Sequence, residues 1–367
     1  MQSATISFDK FNQLQDDACH QRIRAARARL GKEVVLLCHH YQRADVYQYA
    51  DLTGDSLKLS RLASQTDSRY IVFCGVHFMA EVADIMSKPE QIAILPDLAA
   101  GCSMADMANL AKVERCWREL GEVLDVDQQV TPVTYINSAA DLKAFCGARG
   151  GIVCTSSNAG TIAAWAFARR EKILFFPDQH LGRWTGFQMG IALDEMMVWD
   201  PDLEMGGLTA EQIRRARLLL WKGHCSVHQM FQPAHILRFR NQHPDGLVIA
   251  HPECSFEVCR QSDFVGSTEH IVRTIKEARP TRAGWSAPNS IWSTVSPKKS
   301  GTRARSCSSW RRRSACARRC SASTRSIWRG RSRTWPTARW STRSRCPSMS
   351  GHSPSWRWKE CSLSLEI

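Results

Sequence analysis

Residues 33 to 50 read EVVLLCHHYQRADVYQYA: an apolar run, VVLLC, stops at the polar triplet His39, His40 and Tyr41, and a helical pattern follows. An apolar run with no polar face predicts a strand buried on both sides, as in a parallel sheet covered by helices. The same half-repeat returns in TPVTYINSAADLKAF (131 to 145), which stops at Tyr135, Ile136 and Asn137. It returns again in GLVIAHPECSFEVCRQ (246 to 261), which stops at His251, Pro252 and Glu253. A second half-repeat reads YIVFCGVHFMAEVADIM (70 to 86), GIVCTSSNAGTIAAWAF (151 to 167) and SDFVGSTEHIVRTI (262 to 275). There the strand stops at Gly, Ser or Thr, whose backbone and hydroxyls can face a ligand at the start of a helix.

Strand, helix, strand, helix, three times over, predicts an α/β fold: three pseudo-symmetric α/β/α domains with mainly parallel sheets around a central site. Ligands in such folds bind at the C-terminal edges of the strands. The domains expected are 1–115, 116–235, and a third that begins at 236–280. Within the second, 181–222 carries GRWTGF and DPDLEMGG and is expected to be a surface insertion, with a helix from about Thr209 to Leu220.

The chain of 367 residues is 43% apolar and 23% charged, which excludes disorder throughout. Its net charge of +14 suggests an anionic partner until it is localised. Residues 281 to 367 hold 19 Lys and Arg against 2 Asp and Glu; of the totals 49 and 35, that leaves 30 against 33 in residues 1 to 280. The main body therefore has no electrostatic footprint for nucleic acid. An apolar run long enough to span a membrane and a secretory signal are both missing, so a cytoplasmic protein is expected. Ten of the 15 cysteines precede residue 281, scattered as buried thiols with a few candidate metal ligands.

From Thr281 the composition changes to 21 Ser and 8 of the 13 Trp, without helical or strand periodicity. A basic disordered arm rarely carries so many tryptophans, because they drive collapse. A shifted reading frame explains the segment. With compatible codons, TRAGWSAPNSIWSTV (281 to 295) converts to TRWLVGTELNLVNR, SACARRCSASTRSIW (314 to 328) to CLCATMFRIDPQHLAW, and GHSPSWRWKECS (351 to 362) to ALALLALERML. All three conversions use one frame and read as globular sequence.

Two cysteines stand in small-residue contexts after strand ends: Cys102 in PDLAAGCSMAD and Cys225 in LLLWKGHCSVHQMF. Each is a metal ligand or a buried hydrophobe. His39, His228 and His251 are proton carriers or satisfied strand-end residues. Glu253 is a general base or a helix cap. Ser56 in TGDSLKLSR, Ser156 in CTSSNAG and Thr268 in VGSTEH are helix caps, or together form a cradle for carboxylate or phosphate.

The motifs HHYQ, GDS, GVHFMAE, GCSMAD, YINS, CTSSNA, KGHCSVHQ, HPEC and VGST, in that order over residues 30 to 280, closely resemble the quinolinate synthase family. The converted segments extend the resemblance, CLCATM to a third cysteine motif and ALERML to a closing helix. The resemblance implies a [4Fe-4S] cluster held by Cys102, Cys225 and a third cysteine; Cys316 falls near that position without the family context. It implies condensation of iminoaspartate with dihydroxyacetone phosphate to quinolinate, with L-aspartate oxidase as supplier of iminoaspartate and no nucleic-acid or membrane partner. By motif match, His39, Ser56, Tyr135, Ile136, Asn137, Ser156, His228, His251, Pro252, Glu253 and Thr268 surround the substrates, with Tyr41, His251 and Glu253 catalytic. Two other readings remain: an inactive relic whose tail binds nucleic acid, and a zinc or iron-sulfur sensor with Cys316 as third thiolate. Resequencing the coding DNA from about codon 270 to the stop is expected to reveal one additional base near codon 280. An unchanged sequence would mean that the gene itself encodes the basic segment.

Overall fold

The computed structural model describes residues 13–277 and 291–294. They fall in two compact units, one ending at Cys102 and one beginning at Ser103. In the first, β1 (Val34–His39), β2 (Leu52–Gly54), β3 (Tyr70–Cys74) and β4 (Ile92–Ile94) form a parallel sheet of order β2-β1-β3-β4. Every residue of β1 and β3 is buried, as their continuous apolar runs require of strands covered on both faces. The helices Ser56–Gln65 and His77–Met86 follow β2 and β3.

The second unit holds two sheets. β5 (Val130–Tyr135), β6 (Ile152–Cys154), β7 (Lys172–Phe176), β8 (Met196–Trp199) and β9 (Leu218–Trp221) pair in the order β6-β5-β7-β9-β8. β10 (Leu247–Ala250), β11 (Phe264–Val265) and β12 (Ile291–Ser293) pair as β11-β10-β12. All of these pairings are parallel. The α/β class and parallel sheets expected from the half-repeats are therefore present.

The repeat extends to topology. In each sheet the strand of the first half-repeat is central, the next strand in sequence lies on one side, and the one after it lies on the other: β2-β1-β3, β6-β5-β7 and β11-β10-β12. Register repeats as well, with His39 opposite Gly54 and Tyr135 opposite Cys154. Ala250 stands opposite Val265, which brings His251 level with Gly266. Ser56, Ser156 and Thr268 each lie two residues beyond the partner of the strand-end residue. One backbone register thus recurs three times, each with a Ser or Thr at the start of the following segment.

Two expectations are corrected. Residues 181–222 are not a surface excursion: they supply β8 and β9 to the five-stranded sheet, and Trp199 and Trp221 are completely buried. The turn in DPDLEMGG wraps Trp199, because Gly206 has φ +63° and a Cβ there would meet the indole at 2.3 Å. The helix expected to reach Leu220 stops at Arg215, spanning Ala210–Arg215, since the apolar LLLW run pairs between β7 and β8 instead. The other difference lies at 291–293, where no periodicity announces a strand, yet β12 pairs along β10, whose backbone groups need a partner on that side. Cys316 and the segments converted to CLCATM and ALERML lie outside the described residues.

Truncating Trp199 to Ala removes a fully buried indole and is expected to cost about 3–5 kcal/mol of stability. Urea denaturation followed by circular dichroism checks this; a loss below about 1 kcal/mol would show that the 181–222 region is dispensable to the core.

Candidate active site

In the first unit, His39 ends β1 and is buried. The Tyr41 N–H donates to His39 Nδ1 at 3.3 Å, and the two rings lie 4.0 Å apart between centroids. An accepting Nδ1 places the proton of a neutral imidazole on Nε2. Tyr41 is 62% exposed. Ser56 is buried as the first residue of its helix, but the capping is done by Asp55, whose Oδ1 accepts from the Lys58 N–H at 2.9 Å.

The second unit gathers three predicted residues around the carboxylate of a fourth, Glu253. Tyr135, the last residue of β5, donates its hydroxyl to Glu253 Oε1 at 2.8 Å. His228 Nδ1 lies 3.0 Å from Glu253 Oε2. His251 stacks on His228, with centroids 4.7 Å apart and planes inclined by 19°, and its Nδ1 is 3.9 Å from Oε1. All four side chains are buried. Hydrogen bonds hold the backbone on either side of the cluster: the Ser138 hydroxyl donates to the Tyr135 carbonyl at 2.7 Å, and the His251 N–H donates to Thr294 Oγ1, 43 residues along the chain, at 2.9 Å. The Glu253 N–H donates to His251 Nδ1 at 3.3 Å, so His251 repeats the turn and tautomer of His39.

Burial opposes ionisation of Glu253, but His251, His228 and the Tyr135 hydroxyl outweigh it and hold the carboxyl at about 2. Burial lowers His251 to about 4, only partly opposed by Glu253. The cluster at neutral pH is therefore an anionic carboxylate facing a neutral His251.

The capping alternatives fail for the other candidates too. Ser255 caps the helix after Glu253, accepting from the Val258 N–H at 3.4 Å, and Ser267 accepts from the His270 N–H at 3.4 Å where Thr268 begins its helix. Asn158 is the cap residue of the helix that follows Ser156. Ser156 and Asn137 are half-buried at the ends of β6 and β5, while Ile136, Pro252 and Thr268 are buried.

Among the ten described cysteines, only Cys102 and Cys225 are not buried. Burial pushes the Cys116, Cys154 and Cys254 thiols up and raises Cys259 to about 12, as in inert core positions. Cys225, His228 and Glu253 each offer one ligand atom, all within 4.8 Å of one another. The Cys225 loop is anchored at Gly223, whose carbonyl accepts from the Gln179 N–H at 3.0 Å and whose missing Cβ would lie 2.1 Å from the Pro177 carbonyl oxygen.

The family described as quinolinate synthetase A protein (NadA) matches residues 21–316. The chain belongs to the quinolinate synthase family. Quinolinate synthase of Acidobacterium capsulatum is 58% identical over 273 residues, 74% of this chain and 73% of the relative. That of Herpetosiphon aurantiacus is 55% identical over 273 residues, 74% and 72% of the two chains. That of Rhodopirellula baltica is 53% identical over 287 residues, 75% and 73%. No helix among the described residues is long and apolar enough to cross a membrane.

One residue of this site escapes the motif reading. Asp178 is fully buried at the end of β7, where its Oδ1 caps the helix Gln179–Gln188 by accepting from the His180 and Leu181 N–H groups at 2.7 and 2.9 Å. Burial, and then the charge of Glu253, push its carboxyl well above the usual range, against the Leu181, His180 and Cys225 N–H groups. The Pro-Asp pair after an apolar strand in FFPDQHLG signals the cap; only the fold shows that Glu253 and Cys225 are near it.

The low value for His251 fixes a pH dependence. Below 6.5 the unfolded chain takes up a proton that folded His251 refuses until about 4, so stability is full above 6.5 and falls as pH drops from 6.5 to 4. The loss is on the order of 3 kcal/mol. Denaturation of the unaltered chain and of His251→Gln at several pH values should differ by this slope; parallel profiles would contradict it.

Proposed function

We propose that the chain condenses iminoaspartate with dihydroxyacetone phosphate to quinolinate, releasing phosphate and two waters, as a cytoplasmic transferase of NAD synthesis. The observation that carries the reading is the buried Glu253 carboxylate with Tyr135, His228 and His251 around it, in a chain of this family. The reaction needs proton transfers at a carbon that becomes part of a ring, and a buried carboxylate beside neutral imidazole suits them. Held at about 2, Glu253 is ionised at physiological pH and by itself a weak base. Two substrate carboxylates brought beside it would raise its proton affinity by like-charge repulsion. Tyr135 keeps Oε1 oriented and His228 lies beside Oε2, while Nε2–H of His251 and of His39 can donate to carboxylate or carbonyl oxygen.

Ser56, Ser156 and Thr268, with the N–H groups of the helix starts and the Asn137 amide, offer donors for two carboxylates and a phosphate. Ile136 and Pro252 line the strand ends with apolar surface, and the exposed Tyr41 can close over substrate. The soft donors Cys102 and Cys225, the two described thiols kept out of the core, fit a [4Fe-4S] cluster completed by a third cysteine. When bound, such a cluster supplies a Lewis-acidic iron for substrate oxygens. L-aspartate oxidase is the expected supplier of iminoaspartate.

The frame change belongs to this reading. The alignment with the Acidobacterium relative covers 74% of one chain and 73% of the other, leaving similar unmatched lengths on both, as a shifted frame in a common gene would. The test is the frame-repaired protein, reconstituted with iron and sulfide without oxygen. Four irons and quinolinate formation are expected, and Glu253→Gln should lower kcat about 10²-fold or more with iron content unchanged. A repaired protein that binds four irons but makes no quinolinate would overturn the proposal.

A further inference from the structure

We propose that Cys225, His228 and Glu253 form a mononuclear site for a divalent transition metal of the zinc class, filled when no cluster occupies Cys225. Each residue contributes one donor, a sulfur, a nitrogen and an oxygen, and the three atoms lie within 4.8 Å of one another. Zinc bond lengths set tetrahedral ligand atoms about 3.3–3.6 Å apart, a contraction within reach of side-chain rotation. One pair is already close: His228 Nδ1 and Glu253 Oε2 stand 3.0 Å apart. That nitrogen nonetheless makes no hydrogen bond, so the pair is near but out of line. A metal between them would separate these two atoms by a further few tenths of an ångström and satisfy both lone pairs.

The surroundings are those of a supported metal centre. Tyr135 occupies Oε1 at 2.8 Å and so directs Oε2 to the His228 side. Glu253 and His228 are buried and Cys225 is half-buried, which leaves entry on the thiol side. A dication would neutralise a thiolate and a carboxylate that are costly to hold together without it. Thiolate, imidazole and carboxylate together favour zinc or cobalt over magnesium or calcium, and three protein ligands leave a fourth position for water. The site shares Cys225, His228 and Glu253 with the synthase reading but needs neither Cys102 nor a third cysteine.

The test uses the full chain, cluster-free and with reduced thiols, titrated with cobalt(II) and then zinc. Cobalt is expected to give the visible absorption of a tetrahedral site with a thiolate-to-cobalt charge-transfer band, displaced by one equivalent of zinc. Cys225→Ser should abolish the band, His228→Ala and Glu253→Gln should each weaken zinc binding at least about 10-fold, and Cys102→Ser should leave both signals unchanged. Cluster binding, which takes both thiols, would be lost in Cys102→Ser as well. Circular dichroism confirms that each variant folds, and Glu253→Gln keeps the shape of the original side chain. A band that survives in Cys225→Ser, equal zinc affinity in folded His228→Ala and Glu253→Gln, or no band in the unaltered chain would overturn the proposal.

Discussion

Glu253 keeps a negative charge in the interior of the second unit, and the elements around it are arranged to make that tolerable. A bare carboxylate would neutralise itself there; this one stays ionised because the Tyr135 hydroxyl and the imidazoles of His228 and His251 meet it from three stretches of chain. β5 must therefore end on Tyr135, the Cys225 loop must continue into His228, and β10 must end just before His251. The sheets serve as a frame that brings three strand ends to one charge.

Asp178 shows the same constraint from the other side. Two buried carboxyls cannot both be ionised cheaply at short range, so the charge on Glu253 raises Asp178 beyond what burial alone does. The pair divides into a charged member that can do chemistry and a member that holds the Cys225 loop against the start of a helix. The close approach of Gly223 to Pro177 belongs to this anchorage.

The half-repeats were legible because parallel strands covered on both faces leave uninterrupted apolar runs, and because their ends carry His, Tyr, Ser and Thr at fixed offsets. Glycine beside Cys102 and Cys225 separated them from eight thiols that serve as core atoms. The 181–222 region was misread because Thr209 starts a true helix, and Leu218–Trp221 offers an apolar run that could extend it as easily as pair. Only the vacancy between β7 and β8 decides. Asp178 was invisible for a related reason, since a lone Asp after Pro looks the same whether it caps a helix alone or also lies beside a charged residue.

The hydrogen bond from the His251 backbone to Thr294 ties the charge cluster to the strand beyond residue 290. As written, that stretch is IWST; the converted frame brings the β-forming pair LV to the same place, without the threonine. Backbone pairing is nearly blind to which side chains arrive, so the edge of β10 admits substitutes. A newly made chain therefore has a permissive template beside its most exacting residues. Strand exchange between neighbouring molecules, rather than simple unfolding, is the failure to which such an edge is most prone.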